Sequence, residues 1–71
     1  MTKKFQREHY QLRVGGISYS VRLMIGRPGY YGEWYCPLCD QTWNAAPLPT
    51  EDEARLAVLG IVRTHHLEKH L

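Results

Sequence analysis

The chain has 71 residues, 44% of them hydrophobic, with two cysteines, four histidines and a formal net charge of +2. That length holds one domain, residues 1 to 71, with a core that stabilises a fold by no more than roughly 3 to 5 kcal/mol, so a staple is expected. No apolar run reaches about 18 residues and no apolar segment follows the charged N-terminus, which excludes a membrane helix and predicts a cytoplasmic protein, or a nuclear one in a eukaryote.

The charge is unevenly placed. Residues 1 to 35 carry six basic and two acidic side chains, whereas residues 36 to 71 carry three basic and five acidic ones. Residues 1 to 9, with Lys3, Lys4 and Arg7, are expected to form a flexible basic arm. Tyr10-Gln11-Leu12-Arg13-Val14 alternates apolar and polar residues, Gly15-Gly16 follows, and Ile17 to Leu23 alternates again. A Gly-Gly pair adopts the positive φ values of a tight hairpin turn, so Val14 is expected opposite Ile17, Leu12 opposite Tyr19 and Tyr10 opposite Val21, all on one face. Gln11, Arg13, Ser18, Ser20 and Arg22 then share the other face.

Gly26-Arg27-Pro28-Gly29 reads as a loop, and residues 30 to 36 as a third strand leading into a Cys36-Pro37-Leu38-Cys39 turn. Trp43 lies on a short return segment, and residues 44 to 49, with two prolines, form a connector. Thr50 followed by Glu53 has capping-box spacing, and the acidic run at 51 to 53 suits the positive end of a helix dipole, so a helix is predicted over about 51 to 70. Leu59 and Val62 fall on the side of that helix that carries His66. Val58 and Ile61 fall off it, free to bury against the hairpin or a second copy of the chain.

Two cysteines three apart, with His65, His66 and His70 on the helix, carry the most specific chemistry in the chain. A disulfide between Cys36 and Cys39 would close almost no loop and constrain little. A tetrahedral zinc ion is held by thiolates and imidazoles, and it would join the turn to a distant helix. His66 and His70, four apart, sit on one helix face, so the expected ligands are Cys36, Cys39, His66 and His70, with His65 competing with His66. Other readings are a redox pair, which needs a βαβ context not visible here, and buried thiols beside surface histidines. Iron suits the mixed donor set less well than zinc.

Residues 34 to 43, with Trp34, Cys36, Cys39 and Trp43, resemble the front half of the ββα zinc finger that uses two cysteines and two histidines; residues 66 to 70 resemble its back half. The resemblance covers about half the chain and implies one structural zinc, two ligands near strands, two on a helix, and often nucleic-acid binding. Between Cys39 and His65 lie 25 residues, longer than the family's about 12, an excess taken up by the connector and a longer helix. Counting three back from the first histidine ligand, where the family carries an apolar residue, gives Val62 from His65 and Arg63 from His66.

The expected fold is α+β: a hairpin, a third strand with a zinc knuckle, and one long C-terminal helix. Four protein ligands leave no position for an activated water, so no enzyme is expected. The deaminase arrangement, His-x-Glu ahead of a Pro-Cys-x-x-Cys pair, is absent, since Tyr35 precedes Cys36 and His66-Leu67-Glu68 follows the cysteines, and Gly15-Gly16 has no helix behind it to cradle phosphate. The first functional expectation is binding of RNA or DNA by the hairpin side, through Lys3, Lys4, Arg13, Arg22 and Arg27 interleaved with aromatics. The acidic helix start argues against major-groove reading. The alternative is a zinc-stabilised protein-interaction module, self-association included.

Overall fold

The computed structural model describes residues 5–27 and 29–70. Four antiparallel strands, β1 (Phe5–Val14), β2 (Ile17–Ile25), β3 (Tyr30–Cys36) and β4 (Gln41–Asn44), form one sheet in sequence order, and helix α1 (Glu51–Lys69) follows. The α+β class is as the sequence predicts. No helix among the described residues is long and apolar enough to cross a membrane.

The hairpin has the predicted register, with Val14 opposite Ile17, Leu12 opposite Tyr19 and Tyr10 opposite Val21. Gly15 and Gly16 supply the turn at φ +57° and +83°. One expectation fails here: residues 5 to 9 are no flexible arm. Strand β1 continues back to Phe5 along β2, with an irregularity between Gln6 and Glu8 that preserves pairing. The ladder pairs Phe5, Gln6, Glu8 and His9 with β2 and skips Arg7 at the irregularity, while helix α1 supplies charged partners: Arg7 meets Glu51 at 3.2 Å and Glu8 meets Arg55 on α1. Lys3 and Lys4 lie outside the described residues.

Alternation in the strands sets which side chains meet the helix. Tyr19, Val21, Trp34 and Cys36 point inward and form a buried cluster with Val58 and Val62 of α1. The helix rests chiefly on β3. Its buried stripe is Ala54, Val58, Val62 and His66, a strict i, i+4 series. Val58 is therefore core, whereas Ile61 stays exposed. A close approach at Gly32 permits this contact, because a Cβ there would lie 2.7 Å from the Val58 Cβ.

The connector is not loose. Ala45 donates its N–H to the Gly32 carbonyl at 2.8 Å, and Tyr30 and Leu48 exchange two backbone hydrogen bonds at 2.8 and 2.7 Å. The chain is thus led along β3 to Thr50, whose hydroxyl accepts the Glu53 N–H at 3.2 Å and starts the helix. About 28 Å of helix then carries the chain back to the far end of β3, where Cys36 lies.

Candidate metal centre

Cys36 ends β3, and the following residues turn sharply. Asp40 donates its N–H to the Cys36 carbonyl at 2.8 Å and takes φ +54°, a left-handed conformation that aspartate tolerates better than most residues. The Asp40 carboxylate accepts the Tyr35 hydroxyl at 2.7 Å, which raises the Tyr35 pKa and ties the turn to β3. Both thiols are therefore presented toward the end of α1.

Four ligand atoms converge there. Those of Cys36, Cys39, His65 and His70 all lie within 4.8 Å of one another. The Cys36 Sγ is 3.3 Å from the His70 Nε2, and the Cys39 Sγ is 3.6 Å from the His65 Nε2 and 3.5 Å from the His70 Nε2. The two Nε2 atoms are 3.2 Å apart. Bond lengths of about 2.05 Å for nitrogen and 2.3 Å for sulfur require tetrahedron edges of about 3.3 Å between nitrogens and about 3.6 Å between nitrogen and sulfur. The four residues are positioned to coordinate one metal ion.

No protein-family model matches the chain, and no curated protein or solved structure is significantly similar to it.

His66, the sequence's first choice beside His70, lies outside this group, and His65 lies in it. The spacing rule behind that choice holds only while both residues are helical. Helix α1 ends at Lys69, and His70 is its cap at φ −131° and ψ 14°, with its N–H bonded back to the His66 carbonyl. Leaving the helix re-aims the His70 side chain toward His65 and the thiols. His66 instead continues the buried stripe and meets the Tyr19 hydroxyl at 3.1 Å. The apolar residue three before His65, Val62, was the sequence signal for the observed grouping.

Aromatic rings wall the His65 imidazole. Trp34 and Trp43 stack at 4.6 Å, and the His65 ring sits 5.0 and 5.1 Å from them. Burial, and then the nearby His70, lowers the His65 pKa and keeps its imidazole in the neutral, ligating form. Burial, with Cys36 adding to it and Lys69 partly opposing it, pushes the Cys39 thiol up, so its thiolate would need a metal cation to stabilise it.

Among the described residues expected to contact nucleic acid, Arg13 and Arg22 share a sheet face and Arg27 lies apart from them. Arg13 is exposed near the hairpin turn on the sheet face away from α1. Arg22 shares that face but pairs with Glu33 at 2.9 Å. Arg27 lies beyond the other end of β2, beside Tyr31 and Pro47, about 30 Å of strand away from the turn. Of the interleaved aromatics, Tyr31 and Trp34 are buried, and Tyr35 is half-buried on the outer face.

Proposed function

We propose that this protein is a small recognition domain held together by one structural zinc ion and working through contact with another protein. The observation that carries the zinc reading is the convergence of the Cys36, Cys39, His65 and His70 ligand atoms within 4.8 Å of one another, with the nitrogen–nitrogen and three nitrogen–sulfur separations near those around a tetrahedral zinc. Two thiolates and two imidazoles are a zinc donor set, and the order strand, knuckle, strand, helix in β3, β4 and α1 supports the resemblance to the ββα zinc finger. Such an ion would join the knuckle to the end of the helix and add its binding energy to a small core. With four protein donors it offers no position for water, so the reading is of a non-catalytic domain. Cysteines kept as thiolates suit a reducing compartment such as the cytoplasm or nucleus.

Contact with protein is favoured by the surface of α1. A groove of about 680 Å³ between the helix and β4 is apolar at Trp43, Leu56 and Ile61 and polar at its other end, where Thr64, Glu68 and Lys69 line it. Leu38, Leu56, Ile61 and Leu67 are exposed apolar side chains, three of them on α1. The basic half supports nucleic acid weakly, since Arg7 and Arg22 are spent in ion pairs. Nucleic-acid binding is kept as a second reading because the outer sheet face, with Arg13, Arg22 and Tyr35, is uncovered by the helix.

Two measurements test these readings. Elemental analysis of protein purified without added metal should give one zinc per chain, and a chelator should abolish the circular dichroism of the fold. No bound metal with an intact fold sinks the staple. Fluorescence anisotropy with mixed-sequence single-stranded RNA and duplex DNA, at low and physiological salt, should show no salt-dependent binding. Tight binding that Arg13→Glu and Arg22→Glu together abolish would put the second reading in place of the first.

A further inference from the structure

The outward face of α1 is complementary to itself. Positions 53, 56, 60, 63 and 67 repeat at alternating steps of three and four, so they form one stripe opposite the buried series Ala54, Val58, Val62 and His66. The stripe reads Glu53, Leu56, Gly60, Arg63, Leu67. Leu56 is 70% exposed and Leu67 61%.

Two features of this stripe have no use within the chain. A Cβ at Gly60 would meet nothing within 4 Å, so no intramolecular contact demands glycine there, yet glycine weakens a helix interior relative to alanine. Its benefit is room for another backbone or side chain to come close. Secondly, Arg7 and Arg55 engage Glu8, Glu51 and Asp52, whereas Glu53 and Arg63 have no ion pair among the described residues. They are charges of opposite sign, ten residues apart, on one side of the helix.

We propose that this stripe is the contact surface for a second copy of the chain, with the two α1 helices antiparallel about a two-fold axis level with residue 58. Each Leu56 then lies over the partner copy's glycine at position 60, and each Glu53 faces the arginine at position 63 of the other copy. The contact is isologous, so each of these pairings occurs twice. A parallel arrangement would set like charges against each other, and an axis level with residue 60 would face Glu53 with a leucine. Charge complementarity therefore selects both the direction and the register, while opposed helix dipoles add to it. This inference rests on the protein-contact reading and names the partner.

Sedimentation equilibrium of the zinc-loaded chain, from micromolar to millimolar concentration, tests it. A monomer–dimer equilibrium is expected. Glu53→Arg alone, or Arg63→Glu alone, should weaken the dimer by about tenfold or more, and the two together should restore it, because the swap recreates both pairs. Gly60→Leu should leave a monomer with unchanged helical circular dichroism. A wild type that stays monomeric at millimolar concentration, or a charge swap that fails to restore association, overturns the proposal. A zinc-bearing monomer that ignores nucleic acid overturns self-association while the protein-contact reading stands; a monomer that binds single-stranded RNA overturns both.

Discussion

The Tyr19 hydroxyl and the His66 Nδ1 lie 3.1 Å apart in the buried seam between β2 and α1. Each polar atom satisfies the other where water does not reach, so the pair fixes the helix against the hairpin at low cost. The other ring nitrogen of His66 sits against Gly15, where an added Cβ would meet it at 2.2 Å. The hairpin turn is thus shaped by its own φ requirement and by a histidine 51 positions later in the chain.

Gly15→Ala should cost about 3 kcal/mol or more, since a left-handed alanine costs about 1 to 2 kcal/mol and displacing a packed ring adds to it. Gly16→Ala should cost only the backbone strain of about 1 to 2 kcal/mol, because nothing lies within 4 Å of the added Cβ. Denaturant unfolding of the metal-loaded chain measures both. Equal losses would contradict the contact between Gly15 and His66.

His65 and His66 should fail differently. His66→Ala is expected to keep one metal per chain and lose about 2 to 4 kcal/mol, from the cavity and the stranded Tyr19 hydroxyl. His65→Ala should lower metal affinity by more than the roughly 100-fold typical of losing a group that merely supports a ligand. Competition with a chromophoric chelator gives the affinities. Weak binding in His66→Ala with intact binding in His65→Ala would exchange their roles.

The Gly32 contact predicts a non-additive pair. Gly32→Ala should destabilise by about 1 to 3 kcal/mol because its methyl overlaps Val58, and Val58→Ala should cost about 2 kcal/mol through the cavity it leaves. In the double variant the overlaps with the two Val58 Cγ atoms are gone while that with the Cβ at position 58 stays, so the clash is relieved in part and the total should fall short of the sum by about 0.5 to 1 kcal/mol. Additive losses would mean that the helix does not rest on Gly32.

Thr50→Ala removes the hydroxyl that accepts the Glu53 N–H and should cost about 1 kcal/mol, whereas Thr50→Ser should cost little. Thermal unfolding followed at the helix band distinguishes them. Equal stability of all three proteins would rule out the cap as an energetic contribution.

Much of the fold was legible because its signals are local. The hairpin register follows from alternation around Gly15-Gly16, and the helix start follows from Thr50 and the acidic residues behind it. The knuckle was legible because two cysteines three apart can reach one ion only through a turn. The early start of β1 was not legible: residues 5 to 9 have a charged, non-alternating pattern that resembles a solvated arm. What orders them is pairing with β2 and the placement of Arg7 and Glu8 beside Glu51 and Arg55, all distant in sequence.

The sequence by itself determined that this is an α+β domain with two thiols and three candidate imidazoles at one end, since residue type and short-range spacing carry that information. Only the tertiary structure decided which imidazoles meet the thiols. Helical spacing favours His66 with His70, but the helix stops at Lys69, and the buried stripe of α1 takes His66 to Tyr19. Where a helix frays into its cap, and which of two adjacent residues faces the core, are settled by packing across the sheet, and that energy belongs to contacts between distant residues.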